Sequence, residues 1–235
     1  MAGPYIVRRY VSLRRLRTNN EVAGFKFATI GVIYAVLLAF AVVIVWERYN
    51  QADSDVAREA SAAATIYRLS RGVDDGHGVA IRSALTHYLT VTVEHDWPAM
   101  DTGHSAPAAR QAMSAVYEAV LKYHAADPNE TVVLAELLRQ VDQLSETRRA
   151  RLVAADGIVP GLIWATLFSG ALLTIAFTFF FGTENLRAQS LMTGALAILI
   201  FSGLLTIIEI DHPFAGSVKV APEALAAVLR DFRDY

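Results

Sequence analysis

Three long apolar runs dominate the pattern of apolar and polar positions along the chain. Residues 22–46 contain one charged residue, Lys26, while residues 158–181 and 190–208 contain none. A run of about 20 apolar residues crosses a hydrocarbon core about 30 Å thick as an α-helix. The pattern therefore predicts three transmembrane helices. The last two form a hairpin, because only residues 182–189 separate them.

The stretch between the first two runs, residues 47–157, has a different pattern. Its eleven basic and sixteen acidic residues are spread along the whole stretch, and so many charges cannot lie in hydrocarbon. Apolar residues recur at the spacing of amphipathic helices, and strand-like alternation is almost absent. We predict a soluble helical domain inserted between the first and second transmembrane helices. Its predicted helices are residues 53–71, 79–93, 108–123 and 130–153.

One proline sets a predicted boundary inside this domain. Pro98 follows Trp97 a few residues after the predicted helix 79–93. Proline disfavours the helical conformation in the residue before it. We therefore expect that helix to be stopped at the Trp97-Pro98 step.

Two shorter segments flank the three runs. Residues 1–21 carry five arginines and one acid, Glu21. Such a basic segment beside a membrane is expected in the cytoplasm or on anionic headgroups. Residues 4–7 resemble the end of a longer apolar run, which predicts a further membrane helix upstream. The tail, residues 209–235, combines a turn-forming cluster with a short predicted helix.

Composition supports the membrane class and narrows the function. Apolar residues make up 54% of the chain and the mean hydropathy is +0.35, which is too apolar for an ordinary soluble domain. The net charge of −2 gives no case for nucleic acid as a partner, and membrane lipid is the expected one. The absence of cysteine excludes disulfides and thiol nucleophiles. We expect no cofactor.

Sites for chemistry are sparse in the sequence. The common enzyme signatures are absent, so we expect no catalytic residues and no enzyme activity. The densest polar cluster is Glu94-His95-Asp96, with Asp101 and His104 beyond it. These side chains could ligate a metal ion if the loop folded back, but solvated loop residues explain them equally well. We favour the second interpretation and predict no metal site.

Several short motifs occur in a characteristic order. They are Gly31-Val32-Ile33-Tyr34, Trp46-Glu47-Arg48-Tyr49, Ile81-Arg82 with Leu85 and Tyr88, Asp156-Gly157-Ile158-Val159-Pro160, and Asp211-His212-Pro213-Phe214. The order resembles that of the bestrophins. With residues 19–24, 94–98 and 211–216 added, the chain is more closely similar to the bacterial bestrophin-like proteins, formerly a domain of unknown function. The resemblance covers nearly the whole chain.

The resemblance implies an architecture and an activity. Bestrophins are pentameric anion channels with four membrane helices per subunit. The chain is thus expected to be an all-α membrane protein, a truncated four-helix subunit with three of its helices present. The expected assembly is a homo-oligomer, with a pentamer as the family's form, in the inner membrane of a bacterium. The acidic calcium-binding run of the calcium-gated bestrophins is replaced by residues 215–220, so a calcium site is not implied.

Charge alone leaves the orientation open. The five arginines before the first span favour residues 1–21 inside the cell, whereas Arg148, Arg149 and Arg151 favour the helical domain inside. The resemblance to bestrophins places the helical domain in the cytoplasm, and we adopt that orientation.

The first membrane helix carries the candidate functional residues. Phe25, Thr29 and Ile33 recur every fourth residue and so share one helix face. The resemblance implies that this helix lines a pore and that the three residues lie at its neck. The alternative is ordinary contact with lipid or another helix. Two functions follow: an anion channel subunit, or a non-conducting membrane-anchored interaction or sensory protein with a helical soluble domain.

Overall fold

The computed structural model describes residues 3–157 and 159–232, and within those ranges all regular structure is helical. Its α-helices are α1 Gly3–Tyr10, α2 Leu13–Thr18, α3 Asn20–Leu69, α4 Asp75–Val91, α5 Trp97–Met100, α6 Pro107–Leu121, α7 Pro128–Ala155, α8 Gly161–Thr178, α9 Leu186–Asp211 and α10 Glu223–Asp231. The chain divides into two compact units, residues 1–46 with 159–209 and residues 47–158 with 210–235.

The first unit contains the apolar helices. The membrane-crossing candidates by length and composition are α3, α8 and α9. The predicted all-α fold with three membrane helices is confirmed. Close approaches at glycine join the helices: the Tyr34 ring of α3 lies directly against Gly170 of α8, and Leu38 of α3 lies against Gly203 of α9. Small residues let membrane helices pack at short range.

α1 and α2 pack on the connection between α8 and α9. The Asn20 side chain accepts a hydrogen bond from the Gly182 N–H (2.8 Å) and donates one to the Gly182 carbonyl (3.0 Å). Leu16 is buried against Gly182, and Arg8 donates to the carbonyl of Thr183. The basic N-terminal segment is thus held by hydrogen bonds and packing against the connection of the α8–α9 hairpin.

α3 is longer than the sequence pattern predicts. It continues without a break from Asn20 to Leu69, joining the predicted membrane helix 22–46 to the predicted helix 53–71. Residues 47–52 contain no glycine or proline to interrupt the helix. The predicted break between residues 46 and 53 corresponds to a change from apolar to polar residues. Such a change ends the membrane-embedded segment, but it does not interrupt the backbone hydrogen bonds of the helix.

The second unit is a helical domain with its own apolar core. α4 packs on α6, and α7 packs alongside α6. Aspartates cap the first turns of α4 and α7. Asp74 accepts hydrogen bonds from the N–H groups of Gly76 and His77, and Asp127 accepts one from the Glu130 N–H at 2.8 Å. Such N-caps satisfy backbone donors that have no partner in the helix.

The predicted helix stop at Trp97-Pro98 is wrong. A π-helical turn, Thr92–Asp96, follows α4 and leads directly into α5. The Trp97 N–H bonds to the Thr92 carbonyl, five residues back instead of four. A wider turn reduces the clash between a proline ring and the preceding turn of helix, so the chain passes Pro98 while staying helical.

Candidate functional site

The predicted pore face of α3 is exposed in the chain. Phe25 and Ile33 are 78% and 58% exposed, and Thr29 is also exposed. The Thr29 hydroxyl donates to the Phe25 carbonyl at 3.1 Å, so its proton is held by the helix backbone. These side chains are free to meet lipid, another subunit or a water-filled pore.

The opposite side of α3 shows why these residues face outward. Tyr34, Ala41 and Val45 are buried, and the Phe27 ring contacts Phe177 and Phe181. Their sequence spacing of four or seven places them on one stripe. Phe25 lies on the far side of the helix from this stripe, because nine residues at 100° per residue separate it from Tyr34.

Ile33 occupies a different position from Phe25. Each four-residue step turns the helix by about 40°, so Phe25, Thr29 and Ile33 drift around the axis. Ile33 borders an apolar groove between α3 and α8, together with Ile30, Tyr34, Leu37 and Ser169. The three residues therefore lie on a curved surface: Phe25 points directly away from the buried stripe, Thr29 lies about 40° round from it, and Ile33 about 80°.

The helical domain holds a second polar feature, a fully buried charge network around Arg151. The Arg151 Nε lies 2.8 Å from Glu59 Oε2, and its Nη2 lies 3.2 Å from Asp96 Oδ2. All three side chains are inaccessible to solvent. The Tyr88 hydroxyl donates a hydrogen bond to the Glu59 carboxylate. The Arg151 guanidinium stacks on the Trp97 ring, with its Cζ atom 4.9 Å from the ring centroid.

Asp96 completes the network from its other oxygen. The Ser105 hydroxyl and the Ala106 N–H both donate to Asp96 Oδ1, at 3.0 and 2.8 Å. Arg148, almost fully buried, donates to the Ser105 hydroxyl at 3.3 Å. Two arginines thus face two carboxylates, and the buried charges balance. The network joins α3, α4, the π-helical turn and α7.

Two pKa shifts follow from this burial. Desolvation, reinforced by the Glu59 carboxylate, raises the pKa of Tyr88 well above its ordinary value. Desolvation opposes the charge on Arg151, but the Glu59 carboxylate and its neighbours outweigh it and raise the pKa of Arg151. Tyr88 therefore stays a neutral donor and Arg151 stays a cation.

Sequence patterns contain a signal for this network that hydropathy alone missed. Arg148 and Arg151 fall on the same stripe of α7 as the buried Leu137, Val141 and Leu144. Glu59 falls beside the buried Ala60 on the apolar side of α3. A charge on an apolar stripe indicates a buried partner, because an unpaired buried charge is costly.

The polar cluster considered as a metal site is dispersed. Asp96 is buried on Arg151, while Glu94 and His95 are exposed. Asp101 forms an ion pair with Lys219, and His104 contacts the Thr102 carbonyl. Within the described part of the chain, no group of acidic and histidine side chains is arranged to hold a metal ion.

The motif residues have mainly packing roles. Phe214 is buried, and its ring is perpendicular to that of Trp97 with the two ring centroids 5.7 Å apart. The neighbouring Pro213 is buried as well. Gly157 has φ +89° and lies against the His212 ring, which stands 3.6 Å from buried Asp211. Of the other motif residues, Trp46 is exposed and Tyr49 packs on the core of the helical domain. Asp156 is the C-cap of α7, and Pro160 is the N-cap of α8.

Comparison with known families agrees with this arrangement. The sequence profile of the Bestrophin-like domain matches residues 1–225. The chain belongs to this bestrophin-like family. No curated protein sequence matches it significantly.

Solved structures show the same fold as this bestrophin-like chain. Among them are three crystal structures of a bacterial bestrophin homologue from Klebsiella pneumoniae, two of them of single-residue variants. The TM-scores are 0.71, 0.72 and 0.71, at 14%, 15% and 15% identity. Each match covers 89% of this chain and 86% or 87% of the other. The likeness establishes the bestrophin fold.

Proposed function

We propose that the chain is a subunit of an anion channel in which α3 lines the pore. The observation that carries the proposal is the exposed face of α3 that contains Phe25, opposite the buried stripe of that helix, in a chain of the bestrophin-like family. Apolar constrictions control ion passage by excluding water until they widen. Rings of Phe25, Thr29 and Ile33 are less uniformly apolar than a purely aliphatic or aromatic neck, and we expect a weaker barrier.

The assembly and its surroundings belong to the same proposal. A pore lined by one helix per subunit needs several copies around an axis, and the family resemblance favours five. We take residues 22–46, 158–181 and 190–208 as the membrane-embedded segments of each subunit. The inner membrane of a bacterium is the expected location, with the domain of residues 47–157 in the cytoplasm.

Cysteine accessibility provides a direct test, because the chain has no cysteine of its own. Phe25→Cys, Thr29→Cys and Ile33→Cys would be reconstituted separately in planar bilayers and treated with a charged, membrane-impermeant thiol reagent. Thiols react as thiolates, which need water, so only pore-facing positions should change the current. Leu199→Cys and Leu205→Cys, at exposed positions of α9 away from the groove that Ile33 borders, are the matched controls.

The outcomes separate the channel from its alternative. Anion-selective current that the reagent alters at Phe25→Cys but not at Leu199→Cys supports the proposal. Absence of current from verified oligomers would favour a non-conducting membrane-anchored interaction or sensory protein. Equal changes of current at the α3 positions and at the control positions would show that α3 does not line the pore.

A further inference from the structure

A cationic surface lies on α1 and α2, outside the proposed pore face. Arg9, Arg14 and Arg15 are exposed, and in the described ranges no acidic side chain pairs with any of them. Arg8 and Arg17 are engaged, with the Thr183 carbonyl and the Glu184 carboxylate. Residues 3–21 and 182–189 together hold six arginines against two glutamates, so the surface keeps a clear positive excess.

The contacts of this surface fix its height along the membrane helices. Leu16 and Asn20 pack on and hydrogen-bond to Gly182, in the connection between α8 and α9. That connection begins where the apolar run of α8 ends and stops where that of α9 begins. Arg9, Arg14 and Arg15 therefore lie where membrane helices leave the hydrocarbon, which is the headgroup layer.

Apolar side chains accompany the arginines and indicate the kind of partner. Tyr5, Ile6 and Tyr10 are exposed on α1, and Tyr10 is 82% exposed. Tyrosine rings with arginine beside them are typical of a membrane interface, where one end of the side chain is apolar and the other wet. An exposed isoleucine gains no favourable contact from nucleic acid or free phosphate, whereas it can be buried among lipid acyl chains.

We propose that α1 and α2 form a docking surface for anionic lipid headgroups, defined by Arg9, Arg14 and Arg15. The guanidinium groups donate hydrogen bonds to the phosphate oxygens, and Tyr5, Ile6 and Tyr10 lie among the upper acyl carbons. The surface goes beyond the proposed channel activity, because it acts whether or not the chain conducts ions.

The test measures binding of a short-chain lipid to the full chain in neutral detergent. Dioctanoyl phosphatidylglycerol is titrated against wild type and the triple variant Arg9→Gln, Arg14→Gln, Arg15→Gln. At about a fivefold gain per arginine, the triple variant should lose on the order of 100-fold in affinity. Affinity for dioctanoyl phosphatidylcholine should be weak and equal in both proteins.

Two further variants separate local binding from overall charge. Arg110→Gln, Lys122→Gln, Arg149→Gln removes the same charge from exposed positions of the helical domain and should bind phosphatidylglycerol like wild type. Arg9→Lys, Arg14→Lys, Arg15→Lys keeps the charge and should retain most of the affinity. Equal losses in the two glutamine variants, or no loss in either, would overturn the proposal.

Competition distinguishes the lipid surface from other phosphate sources. Glycerol phosphate lacks acyl chains and should compete only weakly with phosphatidylglycerol. Equal affinity for glycerol phosphate would assign the surface to a soluble phosphate instead. Tight, arginine-dependent binding of a single-stranded oligonucleotide in preference to phosphatidylglycerol would assign it to nucleic acid, and either result ends the lipid proposal.

Discussion

The Arg151 guanidinium and the Glu59 carboxylate form an ion pair from which solvent is fully excluded, 92 residues apart in the chain. The pair is held by further hydrogen bonds from Tyr88 to Glu59 and from Arg151 to Asp96. Buried pairs add little net stability when complete, but losing one partner leaves an uncompensated charge. We therefore expect the network to matter more for how α3, α4 and α7 pack together than for the net stability of the domain.

Replacing Arg151 by methionine should be severely destabilising. Glu59 and Asp96 would remain buried without their cation, and the expected loss is about 3–5 kcal/mol in the free energy of unfolding. Denaturant unfolding of the purified protein, followed by tryptophan fluorescence, measures it. Arg149→Met, at an exposed position on the same helix, should change stability by less than about 0.5 kcal/mol. Similar losses in the two variants would contradict a special role for the buried pair.

Alkaline pH should destabilise the domain through Tyr88. Its pKa is raised by burial and by Glu59, so the folded state keeps a proton that an unfolded tyrosine releases above about pH 10. The associated stability is complete below about pH 10 and is lost as pH rises toward the folded-state pKa. One retained proton corresponds to a slope of about 1.4 kcal/mol per pH unit.

Tyr88→Phe removes this titration and isolates its contribution. The variant should be less stable at neutral pH, because Glu59 loses a donor, but its stability should fall less steeply between about pH 10 and 11. Thermal unfolding at a series of pH values compares the slopes. Tyr10→Phe, on an exposed tyrosine, should keep the wild-type slope. Identical slopes for wild type and Tyr88→Phe would show that other groups control alkaline unfolding.

Gly170 should tolerate no side chain while Tyr34 is present. A Cβ on Gly170 would lie 2.6 Å from the Tyr34 ring, and an aromatic ring on a packed helix cannot move aside easily. Gly170→Ala should therefore destabilise the α3–α8 contact by about 1–3 kcal/mol, seen as a lower thermal unfolding temperature.

A matched glycine and a second-site change make this test specific. Gly31→Ala, also within a membrane helix, meets nothing within 4 Å and should be neutral or mildly stabilising. Combining Gly170→Ala with Tyr34→Leu should recover part of the loss, because the rigid ring is gone. A Gly170→Ala protein as stable as Gly31→Ala would show that the two helices separate freely.

The sequence predicted the features that hydropathy controls. The charge-free runs around Leu167 and Leu204 could lie only in a membrane or a core, and both residues are buried on helices of the expected kind. The charge-rich stretch that contains Glu59 is predicted to lie outside the membrane, and its residues fold into helices. The helical periodicity there was clear, because Val56, Ala60 and Ala63 share one face.

Features that depend on long-range pairing were not predictable in the same way. The partner of Glu59 lies on α7; the apolar stripe of that helix singles out Arg148 and Arg151, but no local pattern says which of the two meets Glu59. The π-helical turn before Trp97 was missed because a rule about proline and its neighbour ignores the option of widening a turn. The outward direction of Phe25 required knowing that Tyr34 packs on Gly170.

Phe25 and Ile33 provide the last prediction, on conduction itself. If rings of these side chains narrow a pore, the double variant Phe25→Ala, Ile33→Ala should widen it and lower the cost of keeping it wet. Single-channel conductance in planar bilayers should rise, while oligomer size by light scattering stays unchanged. Phe25→Ala alone should carry most of the increase, because Phe25 points directly away from the buried stripe of α3, whereas Ile33 borders the groove to α8. Leu199→Ala with Leu205→Ala, at exposed positions of α9 outside that groove, is the control and should leave conductance unaltered. Unchanged currents in the Phe25 variants, or loss of the oligomer, would instead assign this face to lipid or subunit packing and make α3 an anchor.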